Sequence, residues 1–336
     1  MPSDAHQAAV LGAGSWGTAL AIHLGRIGHD VALWGRDRAL LDDMTTRRMN
    51  ATYLPAVPFP APLRPIASVA DALAGARHVI VAVPSHGLRA VLRSAAPHVP
   101  RGAVLVSATK GLETDTLQRM SEVMREETKG HHPVVVLSGP SFAAEVARNL
   151  PTALVAASSD PAAVRSVQEE FRGPFFRLYG SDDVVGVEIG AALKNIIAIA
   201  AGVVESLDLG HNALSALITR GLAEISRLAC AMGGQRETLA GLSGLGDLVL
   251  TCTGSLSRNR HVGIELGRGQ TLTAILAGMR MVAEGVRTTT AALALGQRHG
   301  VELPIASQMA AVLAGEKTPK EAVGELMDRR QRHEIG

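Results

Sequence analysis

Short apolar runs alternate with helical patterns through the first half of the chain and then cease. Ala8–Leu11, Val31–Trp34, Val79–Val83, Val104–Ser107 and Val134–Leu137 read as buried strands. Between them, Trp16–Arg26, Leu40–Arg48, Leu88–Ala95 and Leu117–Glu126 carry helical patterns. Such alternation predicts a parallel, doubly wound sheet. The sheet is expected to run on through Thr152–Ala157 and Phe175–Leu178, with Ala162–Phe171 as the helix between them, while the Pro-rich Leu54–Pro65 reads as a loop. After the cap-like Ser181-Asp182-Asp183 only helices are expected: Ala213–Met232, Leu272–Ala277, Thr288–His299, Ile305–Ala314 and Lys320–Met327. The last opens on Thr318-Pro319-Lys320-Glu321, a capping box with proline in the first turn.

One stretch breaks the usual division of a helix into wet and dry faces. Glu188–Glu205, EIGAALKNIIAIAAGVVE, is apolar or tiny on all sides apart from its ends and the pair Lys194-Asn195. It therefore reads as a buried helix, with Gly and Ala admitting other backbones closely. A membrane span is disfavoured by that polar pair at mid-segment. Burial penalises an ammonium, so a lysine here is either ion-paired or tuned toward neutrality, where it can give and recover a proton. The chain has only five lysines, at 110, 129, 194, 317 and 320. Arginine supplies most of the positive charge but cannot usefully titrate. Lys194 is thus the leading candidate for the chemistry.

Composition narrows the classes. A length of 336 residues suggests two domains, and a net charge of +2 gives no general pull toward nucleic acid or membranes. Aromatics at 3% argue against a base-stacking surface. Cys230 and Cys252 lack metal or CxxC spacing and read as reduced core thiols of a cytoplasmic protein, and MPSDAHQAAV has no signal-peptide character.

Gly12, Gly14 and Gly17 (GAGSWG) stand between the first strand and the first helix, the context in which GxGxxG binds a dinucleotide pyrophosphate. The fold class expected is therefore an α/β N-terminal Rossmann-type doubly wound sheet (residues 1–182), followed by an all-α C-terminal domain (183–336) that binds substrate. Arg36 follows the second strand and suits a 2′-phosphate, while the adjacent Asp37 suits a ribose 2′-hydroxyl, so NADP(H) is favoured over NAD(H). Three turns, 84–86, 108–111 and 138–143, close strands at the carboxyl edge where such sheets bind ligands. Lys110 lies in one of them and is expected to touch ligand; His86 lies in another without an assignable partner. Two irregular stretches are expected in the helical half. In Gly241–Thr253, Asp247 either caps the following helix or sits beside Lys194. In Ser255–Arg260, the hydroxyl, guanidinium and amide of Ser257, Arg258 and Asn259 suit a phosphate dianion.

Over nearly its whole length the chain resembles the bacterial-type NAD(P)-dependent glycerol-3-phosphate dehydrogenases. The resemblance rests on GAGSWGTALA (12–21), ATKGLE (108–113), SGPSFAAE (138–145), GAALKNIIAIAAG (190–202), ALITRGLAE (216–224), GLGDLVLTCTGSLSRNR (244–260) and MVAEG (281–285). GxGxxG alone is generic; ALKN, GLGDL and SRNR in this order are specific. The resemblance implies interconversion of dihydroxyacetone phosphate and sn-glycerol 3-phosphate for glycerophospholipid synthesis, by a cytoplasmic homodimer. It makes Lys194 the proton donor and acceptor, with Asp247 beside it in the catalytic set. It places Lys110, Gly139, Ser141, Asp247, Ser257, Arg258 and Asn259 on the substrate. Ser15, Trp16, Arg36, Lys110, Ala143, Arg258, Val282 and Glu284 fall on the cofactor. Two other readings compete: a hydroxy-acid or ketopantoate-type dehydrogenase, and a regulator that binds NADPH without turnover. SRNR with Asp247 favours a phosphate over the first, and a titratable buried lysine argues against the second.

Overall fold

The computed structural model describes residues 7–279, 281–330 and 333. Eight strands form the main sheet: β1 (Gln7–Leu11), β2 (Asp30–Trp34), β3 (Leu63–Ile66), β4 (His78–Val81), β5 (Val104–Ser107), β6 (Val134–Ser138), β7 (Thr152–Ala157) and β8 (Phe176–Ser181). Their spatial order is β8-β7-β6-β5-β4-β1-β2-β3. Alternate residues feed cores on opposite faces, for example Val10, Ile80 and Val106 on one and Leu11, Val79 and Leu105 on the other. Both faces are covered, as a largely parallel sheet requires.

Two features of this half depart from the sequence expectation. The β6–β7 pair is antiparallel, with Val136 opposite Ala157. Between these strands stands only the five-residue helix Ala143–Ala147. It rises about 7.5 Å, too little to carry the chain back along a strand of about 16 Å. The second departure is Leu54–Pro65, which is not simply a loop. Leu54–Pro58 pairs antiparallel with Met49–Asn50, and Leu63–Ile66 is strand β3, parallel to β2 with Pro65 in register with Leu33. Proline is tolerated because β3 is an edge strand, where a missing N–H can face the open side.

The helical half is assembled on Val184–Ser206. Asp183 caps it, accepting from Gly186 N at 2.8 Å. Every residue from Gly186 to Val204 is buried. The helix is long and apolar enough to cross a membrane, yet 94% of its most apolar window is buried within the protein. Its small residues permit backbone contact. A Cβ on Gly202 would lie 2.0 Å from Arg260 O, and one on Gly263 would lie 1.8 Å from Ile199 O. Helix Arg258–Gly267 therefore crosses the central helix backbone to backbone. Residues 241–253, irregular by sequence expectation, form a π-helical turn (Leu242–Gly246) continuing into helix Asp247–Thr253. Glycines at 241, 244 and 246 hid that helix from a propensity reading. Likewise Ser257 is not in a loop: it caps Arg258–Gly267, accepting from Arg260 N at 3.2 Å.

The capping box at Thr318–Glu321 is present. Both cysteines are free thiols, but Cys230 is exposed rather than in the core. The two halves are joined by a buried ion pair. Glu188 of the central helix accepts from Arg119 Nη1 at 2.8 Å and from Ser121 N and Oγ at 2.8 and 2.6 Å.

Candidate active site

The carboxyl edge of the sheet and the central helix enclose a cleft of about 880 Å³. On the sheet side Gly12, Gly14, Ser15, Trp16, Arg36, Lys110, Ser141 and Ala143 line it; on the helical side Lys194, Asp247, Ser257, Arg258, Asn259, Val282 and Glu284 do so. Of the residues singled out in the sequence, Gly17 and Gly139 stand behind this lining. Gly17 packs the first helix on the turn, and Gly139 offers its carbonyl to Lys110.

The first turn has the shape a dinucleotide needs. Gly12 has φ +127°, and a Cβ there would meet Ala82 O at 2.4 Å; one on Gly17 would lie 1.9 Å from Gly12 O. Around Gly14 there is nothing within 4 Å of a built Cβ, so the backbone lies open to a pyrophosphate at the N-terminus of helix Ser15–Arg26. Trp16 Nε1 is buried without a hydrogen-bond partner among the described residues. These residues fit a dinucleotide. At the end of β2 Arg36 is exposed, whereas Asp37 caps helix Arg38–Arg47, its Oδ1 accepting from Leu40 N at 3.1 Å.

Deeper in the cleft two lysines share one carboxylate. Lys194 Nζ donates to Asp247 Oδ1 and to Thr251 Oγ1, both at 2.7 Å. Lys110 Nζ donates to Asp247 Oδ2 at 2.7 Å and to Gly139 O at 2.9 Å. Of the two readings left open for Asp247, the ion pair with Lys194 is the one realised. Asp247 is the first residue of its helix and no side-chain cap forms there. Burial lowers the Lys194 pKa to about 8, with Lys110 adding to the fall and Asp247 opposing it. Thr251 was not singled out from sequence, although it lies four residues after Asp247 on the same helical face. Its hydroxyl donates to Asp247 O at 2.6 Å while receiving Lys194, which aims the lysine into the cleft.

Arg258 begins a ten-residue helix and is exposed to the cleft. Asn259 is buried, donating to Asn195 Oδ1 at 2.9 Å and accepting from Gly285 N at 3.0 Å. A guanidinium at a helix N-terminus is suited to an anion. Ser141 Oγ turns onto Gly139 O at 3.0 Å. His86 is exposed on the cleft wall; partial burial and Arg287 lower its pKa, Glu284 opposes them, and Arg36 lowers it further. Arg260 pairs with Glu205 and Arg268 with Glu265, outside the cleft. No metal-ligand cluster occurs among the described residues.

A nucleotide cradle facing a buried lysine–carboxylate cluster is the plan of an oxidoreductase that uses a nicotinamide nucleotide. The NAD-dependent glycerol-3-phosphate dehydrogenase N-terminus model matches residues 7–164, and the corresponding C-terminus model matches residues 183–324. The chain belongs to that family. It is 54% identical over 271 residues to glycerol-3-phosphate dehydrogenase [NAD(P)+] of Koribacter versatilis (strain Ellin345), covering 80% of each chain. It is likewise 54% identical over 268 residues to the enzyme of that name from Thioalkalivibrio sulfidiphilus (strain HL-EbGR7), again covering 80% of each. The crystal structure of glycerol-3-phosphate dehydrogenase from Coxiella burnetii superposes with a TM-score of 0.93 at 42% identity, covering 96% of this chain and 99% of that one.

Proposed function

We propose that this cleft interconverts dihydroxyacetone phosphate and sn-glycerol 3-phosphate, with Lys194 as proton donor and acceptor. The observation that carries the reading is the Lys194–Asp247–Lys110 cluster sharing one cleft with the Arg258 helix terminus. Bound NADPH or NADH supplies the hydride that reduces the ketone carbon. As negative charge develops on the ketone oxygen, the Lys194 ammonium hydrogen-bonds to it and then gives up its proton. In the reverse direction the neutral amine takes the hydroxyl proton. Asp247 and Thr251 hold the lysine in place, and Asp247 limits the fall in its pKa. A pKa of about 8 leaves both forms accessible near neutrality.

Ser257, Arg258 and Asn259 hold the substrate phosphate, with Lys110 and Ser141 lining the opposite wall and Gly139 behind them, holding Lys110 through its carbonyl. Grip on the phosphate orients the carbonyl, so binding away from the reacting carbon serves the chemistry. Ser15, Trp16, Arg36, Lys110, Ala143, Arg258, Val282 and Glu284 contact the cofactor. Arg36 favours NADPH over NADH, because Asp37 is engaged as a helix cap. The reading includes the division at residues 182/183, a cytoplasmic homodimer without membrane insertion, and a product that supplies the glycerophospholipid backbone.

Oxidation of NADPH and NADH is measured with dihydroxyacetone phosphate, with a ketopantoate-type 2-keto acid, and without ketone. Turnover with the phosphorylated ketone alone is expected. Preference for the keto acid would overturn the substrate, and no ketone-dependent oxidation would overturn the activity.

A further inference from the structure

Between the two halves, beside Gly111, a single carboxylate is held by both oxygens. Ser85 is the first residue of helix Ser85–Ala95, directly after β4, and is buried. Its N–H donates to Glu284 Oε1 at 3.0 Å and its Oγ to Glu284 Oε2 at 2.6 Å. Glu284 belongs to the other half, 199 residues away, and opens helix Glu284–His299. A carboxylate that receives a helix N-terminal N–H and a short hydroxyl bond is charge-assisted and fixed in one orientation. There is little room to move: a Cβ on Gly111 would lie 2.8 Å from Ser85 Cβ and 3.2 Å from Glu284 Oε2.

The next residue is pinned from the substrate side. Gly285 N donates to Asn259 Oδ1 at 3.0 Å, and Asn259 in turn donates to Asn195, the neighbour of Lys194. A Cβ on Gly285 would lie 2.7 Å from Asn195 O. Upstream, Met281 reaches the nucleotide-binding turn, its Sδ accepting from Ser15 Oγ at 3.5 Å. The segment 281–285 thus lies across the cleft from the nucleotide turn to the phosphate-side helix, and Ser85 is its anchor in the nucleotide-binding half.

We propose that Ser85 is a positioning residue for the bound dinucleotide: by holding both oxygens of Glu284 it fixes the 281–285 segment against the cofactor. The proposal rests on the reading above that Glu284 contacts the cofactor. Without that anchor the carboxylate loses its short hydroxyl bond and its fixed orientation in the wall of a cleft built for phosphates, where a misplaced negative charge opposes binding. Ser85 is not among the residues that line the cleft, and its side chain bonds to Glu284 rather than to the Lys194 cluster, so its effect belongs to nucleotide retention rather than to the chemical step.

NADPH affinity and dissociation rate are measured by cofactor fluorescence for wild type, Ser85→Ala, Glu284→Ala and the double variant, with Tm of each and kcat at saturating NADPH. Ser85→Ala is expected to raise the NADPH Kd about tenfold, the lower end for a bond to a charged group, chiefly through faster dissociation. Its kcat at saturating NADPH should stay within about twofold of wild type, and Ser85→Ala should add little once Glu284 is gone, as for residues acting as one unit. Should Ser85→Ala fail to fold, Ser85→Cys, which keeps the size but offers only a weak donor, reads the same quantity. A variant with lowered Tm and unchanged NADPH Kd would make Ser85 interdomain glue and overturn the inference. An unchanged Kd in Glu284→Ala overturns instead the cofactor contact on which it rests.

Discussion

The nucleotide cradle and the lysine cluster lie in one cleft but are built in opposite ways. The cradle is contiguous: Gly12 to Gly17 follow one another, and their contribution is backbone shape and a helix terminus. The cluster is assembled from residues 110, 194, 247 and 251, on a turn and two helices, and its contribution is side-chain charge. In the cradle a wrong atom costs space, whereas in the cluster a missing one leaves buried charge unpaired. Mutations should therefore separate them: those at Lys194, Asp247 and Thr251 should damage turnover with nucleotide still bound, those around the cradle should damage nucleotide binding, and Lys110, assigned to both ligands, should affect both.

The largest effect is expected at Lys194. Met fills a similar apolar volume, so Lys194→Met should fold and bind NADPH while turnover falls about 100-fold or more, as for loss of a general acid. Turnover above a tenth of wild type would move the acid role to another group, Lys110 being the nearest. Arg258→Ala comes next. At saturating NADPH, losing a charge-assisted pair should lower kcat/KM for dihydroxyacetone phosphate about tenfold or more, with dihydroxyacetone nearly unaffected. Equal loss on both ketones would show that Arg258 does not read the phosphate. Lys should restore only part, since it lacks the planar fork.

The pH dependence gives a third contrast. With Lys194 as the proposed acid, ketone reduction would need its ammonium, so kcat/KM should hold below about pH 8 and fall above it, whereas alcohol oxidation would need the amine and should rise through the same region. Profiles in both directions that bend the same way would detach this titration from Lys194. Arg36→Asp should have the smallest effect, several-fold, weakening NADPH more than NADH because a 2′-phosphate then meets a like charge. Equal weakening of both nucleotides, measured as Kd, would reduce Arg36 to a surface residue.

The sequence by itself determined whatever depends on neighbours along the chain. The GAGSWG turn, the Asp183 cap, the Thr318 capping box and the buried character of the Lys194 helix are local patterns, and each was legible from spacing and residue type. Proline and glycine content misled where tertiary contacts override local preference. Leu63–Ile66 is a strand because β2 offers an edge, and Leu242–Thr253 is helical because it packs against the central helix near Gly190. Asp247 marks the limit: its type and setting allowed two roles, and only the fold brought it within 2.7 Å of two lysines, 53 and 137 residues away in the chain. Thr251 could have been found from its i+4 spacing to Asp247, but Ser85 could not. A serine opening a helix is common, and what distinguishes this one is a carboxylate 199 residues further along the chain, which close packing of two separate halves alone puts within hydrogen-bond reach.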